Sequence, residues 1–193
     1  PGLFVPTFSG GTSSLPALTE RAAGNGSVNW LPSSDQIVRR VPLLVSTGGA
    51  LYPSLSLEAA RVGMGESTVF VRSSGGSGVL AFGQRTGIES LRVGSVVLPS
   101  DSSGQMWLHF SERDGQHDIP AYRVLEGTFE KSKVEGRFVL IGVSAPGLLD
   151  LRATPLQSAV PGVVVHAQAL EQILSGRYLS RPAFALGMEL LFL

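Results

Sequence analysis

The 193-residue sequence contains no cysteine. That excludes disulfides, thiolate metal sites and cysteine nucleophiles, and is compatible with an oxidising compartment. Charge is scarce: Asp, Glu, Lys and Arg make up 16% of the chain, against a usual ~25%. Fifteen basic residues balance fifteen acidic ones. A net charge of zero offers no electrostatic case for nucleic acid or an anionic membrane surface. There is no N-terminal methionine, basic n-region or apolar h-region, so the sequence is read as carrying no signal peptide. No apolar run reaches the ~20 residues of a membrane span. The last twelve residues, from Pro182 to Leu193, are apolar apart from Glu189 and are read as the start of one. No internal repeat is visible.

Recognised catalytic and nucleotide motifs are missing as well. Gly142-Val-Ser-Ala-Pro-Gly147 follows an apolar run, as phosphate loops do. It matches neither GxGxxG nor GxxxxGK[ST], and Pro146 lacks an amide to offer a phosphate. Ser144 is not in a GxSxG elbow. His109, Asp114, His117 and Asp118 gather around one segment, but without HExxH, HxH or other paired-ligand spacing. The sequence therefore assigns no metal, no cofactor and no catalytic residue.

What is present is 43% hydrophobic residues, enough for one core, punctuated by 24 glycines and 12 prolines. The periodicity predicts an irregular or extended lead-in to Ser14, and a helix over Leu15–Ala23 capped by Ser14. Strands follow over Ser27–Trp30 and Gln36–Val45, broken by Gly48-Gly49. A largely buried helix is predicted over Pro53–Val62, with Pro53 in its first turn. Short strands come next at Thr68–Val71, Val79–Phe82, Ile88–Val93, Ser95–Leu98 and Gln105–Phe110, reading as an antiparallel section. A short helix is expected at Ala121–Glu126. The reading ends with a buried strand, Phe138–Val143, a polar loop, and a helix from about Val164 to Leu174 stopped by Gly176. The fold class this predicts is α/β: a mixed sheet flanked by helices, with an inserted antiparallel β section.

Phe138–Leu174 is the most informative stretch, because strand, polar loop and helix is how open α/β sheets present polar groups at an edge. Asp150, Arg152 and Thr154 alternate along the loop. They form either a ligand pocket or a pinned loop, with Asp150 and Arg152 paired or capping backbone amides. His166 near the helix start would need a hydrogen-bond partner to act as a base. The alternative is a core-edge histidine bonded to a loop carbonyl, such as one in the Asp150 segment. Asp35 and Arg39 flank a turn. Arg39 either grips a ligand carboxylate in bidentate fashion, or pairs with Asp35 while Asp35 caps the turn. Trp30 and Trp107 read as core or rim aromatics.

Three segments carry a family resemblance: GSVNWLPSSDQIVRRVPLL (Gly26–Leu44), LYPSLSLEAAR (Leu51–Arg61) and GRFVLIGVSAPGLLDLRATPLQSAVPGVVVHAQALEQILSGRYLSRP (Gly136–Pro182). Through them the chain resembles the second type of CHASE domain, an extracytoplasmic sensory domain of bacterial receptors. It departs from the family pattern at Asp35-Gln36, where Asp-Gly is usual, and at Val164, where an acidic residue is common. The resemblance implies that residues 1–181 are a sensory domain lacking its N-terminal part, and that 182–193 begin a transmembrane helix. It implies a periplasmic or extracellular location in a receptor, most often an adenylate or guanylate cyclase. The partners it implies are a small-molecule or environmental signal, the membrane through flanking helices, and a second copy in a homodimer, with no nucleic acid. Two other readings stand beside it: a soluble α/β enzyme domain using Asp150 and His166, and a dimerisation module.

Overall fold

The computed structural model describes residues 4–74, 87–112, 115, 117–144 and 150–179. The expected strand Val79–Phe82 and the expected membrane segment 182–193 lie outside them. In chain order the elements are β1 (Thr7–Phe8), α1 (Pro16–Thr19), β2 (Arg40–Pro42), β3 (Leu44–Thr47), β4 (Ala50–Pro53) and α2 (Leu55–Gly63). These are followed by β5 (Val69–Ser73), β6 (Ile88–Val93), β7 (Val96–Pro99) and β8 (Gln105–Trp107). Then come α3 (Ala121–Leu125), a 3-10 turn at Lys131–Lys133, β9 (Leu151–Arg152), β10 (Val160–Pro161) and α4 (Gly162–Ser175). The class is mixed α/β. A three-stranded mixed sheet runs β1-β3-β4, with β1 parallel and β4 antiparallel to β3. The inserted section is the antiparallel sheet β5-β6-β7. Two antiparallel pairs, β2-β8 and β9-β10, complete the set.

Several expected elements change on folding. The lead-in is not wholly irregular, since Thr7 and Phe8 pair with Ser46 and Thr47. The first helix shrinks to four residues, none of them buried, with Leu15 rather than Ser14 at its N-cap. Ser27–Trp30 is no strand; it makes only a parallel bridge from Ser27 to Ser54. The strand expected over Gln36–Val45 divides at Leu43 into β2 and β3, which serve different sheets. Pro53 ends β4 rather than entering α2, and Ser54 caps α2 by accepting from the Leu57 amide at 3.3 Å. β4 exists because Gly48 and Gly49, at φ 56° and 80°, make a two-residue hairpin turn that non-glycine residues resist.

The largest correction concerns Phe138–Val143. It is neither a strand nor buried: Ile141 is 95% exposed, and Phe138, Val139 and Val143 are about half exposed. No described strand pairs with it, so apolar composition alone does not bury it. The segment touches both central helices. The Phe138 ring sits where Gly63, at the end of α2, leaves no room for a Cβ. Gly142 lies equally close to Val163 on α4, and only Leu140 packs on the core.

That core lies between α2, α4 and the inner faces of the sheets. Leu57 and Ala60 of α2 meet Val165, Ala169 and Ile173 of α4, together with Val41, Leu43, Leu91, Leu98 and Met106. Two glutamines on α4 tie the helix to β8 and its continuation. Gln172 donates to the Trp107 carbonyl at 2.7 Å and accepts from the His109 amide at 2.8 Å. Gln168 donates to the Ser111 carbonyl at 2.8 Å. Gly176 at φ 70° closes α4, as expected. No helix among the described residues is long and apolar enough to cross a membrane.

Candidate functional site

The start of α4 is built against the Asp150 strand. Gly162 donates its amide to the Asp150 carbonyl at 2.7 Å, and β10 pairs Val160 and Pro161 with Arg152 and Leu151. The Asp150 carboxylate sits where a Cβ on residue 162 would lie, so a larger residue there would displace it. It also faces the first turn of a 14-residue helix, whose dipole favours a negative charge. Arg152 Nη2 lies 3.5 Å from Asp150 Oδ1, and its Nη1 donates to the Leu151 carbonyl at 3.1 Å. Both side chains are about one-third exposed.

Thr154 is engaged within its own loop. It is buried; its hydroxyl donates to the Gln157 carbonyl at 3.2 Å and accepts from the Gln157 amide at 3.1 Å. That closes a short loop between β9 and β10. The Asp35 turn runs alongside, with Val38 donating to the Ala153 carbonyl at 2.8 Å. Asp35 caps it by accepting from the Ile37 amide at 3.1 Å, and Arg39 grips the same carboxylate through two bonds of 2.9 and 2.7 Å. The Arg39 guanidinium, then the Ile37 amide, hold the Asp35 carboxyl down to about 2. The clamped turn forces Gln36 to φ 62°, the single non-glycine residue with positive φ among those described.

His166 lies on the inner side of α4. Its Nδ1 is 3.2 Å from Ser56 Oγ on α2, and that hydroxyl also donates to the His166 carbonyl at 3.0 Å. The expected partner in the Asp150 segment is therefore replaced by Ser56. The Trp30 ring tilts at 37° over the imidazole, with centroids 4.1 Å apart. Burial drives the imidazole down to about 4. The Val28 backbone and the Asp150 charge oppose this in part, and neither makes a well-formed bond to the buried Nε2.

These elements enclose a cleft of about 830 Å³. Asp150, Arg152 and His166 line it, together with Asn29, Trp30 and Gln36. Of the six candidate residues, folding brings three to one cleft, spends Thr154 on its loop, and uses Asp35 and Arg39 to hold the turn that carries Gln36. Sequence reasoning missed Asn29, Gln36 and Ser56. The usable signal for Gln36 was its place after a capping Asp, where the backbone favours glycine. Ser56 had no such signal, because its partner is 110 residues away. Trp30 is a rim aromatic, while Trp107 carries the Arg40 guanidinium 4.9 Å from its ring centroid. Asp114 lies outside the described residues, and among those described no group of three or more acidic or histidine side chains could hold a metal.

Residues 4–193 match the family model of the CHASE2 domain. No curated protein and no solved structure matches the chain.

Proposed function

The chain belongs to the CHASE2 family of extracellular sensory domains, and from that premise we propose that it is the signal-detecting part of a bacterial transmembrane receptor. Its output in this reading is a cytoplasmic adenylate or guanylate cyclase, and the domain itself detects rather than transforms its ligand. The observation that carries the reading is the family match across the chain, joined to a cleft whose polar groups come from separate elements.

The cleft suits detection. Its walls come from the Val28–Trp30 segment, the Asp35 turn, β9 and the first turns of α4. A ligand bridging them would change the α2–α4 packing that Ser56 and His166 join, which is how a bound state acquires a different stability from an empty one. The same burial argues against an Asp150–His166 catalytic pair. His166 is 3% exposed and already engaged with Ser56, so a substrate has little access to its ring.

The test uses the full-length gene product. A reporter fused at this domain should locate it outside the cytoplasm, and membranes carrying the receptor should change cyclic-nucleotide synthesis when the domain is deleted. A cytoplasmic location, or an apolar span missing from the full reading frame, overturns the proposal. Homodimerisation through the receptor's membrane segments belongs to the same proposal and is read by crosslinking in those membranes.

A further inference from the structure

The cleft's own groups narrow what it can hold. Among the described residues lining it, Asp150 and Arg152 are the charged ones, and their signs are opposite. Arg152 is engaged with Asp150 at 3.5 Å and with the Leu151 carbonyl at 3.1 Å. A ligand of either charge would meet a lining that is already balanced, and drawing one partner away would strand the other. A neutral ligand leaves the pair intact. A carboxylate has about four acceptor positions, so a hydroxyl can donate to Asp150 while Arg152 keeps its contacts. The Asp150 side chain is about one-third exposed and reachable. The side-chain amides of Asn29 and Gln36 are exposed on the same cleft, and each both donates and accepts. Hydroxyl groups, which also donate and accept without charge, match that set. The apolar part of the lining is Trp30 with aliphatic side chains such as Leu55, Ile141 and Val163. Trp30 is half-buried and backed by the His166 imidazole, 4.1 Å between centroids. A flat aromatic ligand has two faces to cover and would find one indole. A sugar ring has a C–H face, which suits the negative face of an indole, and a rim of hydroxyls.

We propose that the cleft takes a neutral sugar in its pyranose form, stacked on Trp30 and hydrogen-bonded through its hydroxyls to Asp150, Asn29 and Gln36. The assignment rests on the sensory reading above and names the ligand class for that site. No new contact is asked of Arg152, whose guanidinium stays with the partners it has. A volume of about 830 Å³ falls within the ~300–1,000 Å³ of small-molecule sites.

The experiment titrates the 193-residue chain with D-glucose, D-galactose and D-mannose, read by calorimetry and by tryptophan fluorescence. At least one should bind with a Kd below ~10 mM. The matching hexosamine and uronic acid, which add an ammonium or a carboxylate to the same ring, should bind at least ~10-fold more weakly. The fluorescence change should survive Trp107→Phe and vanish in Trp30→Phe. Gln36→Ala and Asp150→Asn should each weaken the sugar by ~3–10-fold, the loss of one hydrogen bond. If Asp150→Asn fails to fold in a thermal melt, Gln36→Ala at its exposed position and the ranking of neutral against charged sugars decide. No hexose binding up to ~10 mM, charged analogues binding as tightly as the neutral sugar, or adenosine binding where the hexoses do not, overturns the assignment. So does a sugar affinity that all of these variants leave unchanged. A hexose that binds without altering full-length receptor output counts against the sensory reading and leaves the ligand class standing. A receptor answering another ligand while no hexose binds overturns the ligand class alone.

Discussion

His166 couples this fold to acidity through burial. Its ring titrates near 4 when folded and near ~6.5 when exposed in the unfolded chain. Below the higher value the unfolded state takes up the proton first, so stability is full above it and falls as pH drops toward the lower one. The loss should approach ~3 kcal/mol, read as the denaturation free energy at pH 7 and at pH 4, and His166→Gln should flatten that dependence. Gln36 is a second strained point. A left-handed non-glycine residue costs ~1 kcal/mol or more, part of which glycine returns through its freer unfolded chain. Gln36→Gly should therefore raise the melting temperature by a few degrees at most; a fall would show that the side chain's contacts outweigh the strain. At this scale Asp35 was legible, because a capping carboxylate and its Arg39 partner lie four residues apart. The Ser56–His166 contact was not, since nothing local links two helices that distant in sequence.

At the scale of elements, α4 is held by amides as much as by apolar packing. Gln172→Leu would leave the Trp107 carbonyl and the His109 amide without their partner. Each such group costs ~1–3 kcal/mol, so a loss of about 2–6 kcal/mol is expected in urea unfolding. The exposed segment 138–143 makes the opposite prediction. Ile141→Lys should change stability by under ~0.5 kcal/mol, as surface substitutions do, whereas a buried strand would lose several times more. α2, α4, β6 and the Gly176 stop were readable because 3.6- and 2-residue periods and a C-cap glycine are local signals. β4 hid because Leu51, Tyr52 and Pro53 also suit a helix approach, and its pairing depends on the Gly48-Gly49 turn.

Across the molecule, the four small sheets among the described residues share one core with α2 and α4, and nothing among those residues marks a boundary between independent units. Unfolding should be a single transition, with tryptophan fluorescence and far-ultraviolet circular dichroism giving the same midpoint. Trp30 reports the cleft and Trp107 the β2–β8 pair, so two separate midpoints would reveal units that melt apart. The sequence by itself determined the α/β class, the family and the polar stretch from Asp150 to His166. Each of those rests on composition, local period or an ordered motif, which need no knowledge of distant neighbours. The tertiary structure alone decided that Phe138–Val143 is largely exposed, that Ser56 meets His166, and that Gln36, Asp150 and Arg152 line one cleft. Those outcomes depend on which segments compete for the same surface, and only the folded chain resolves that competition.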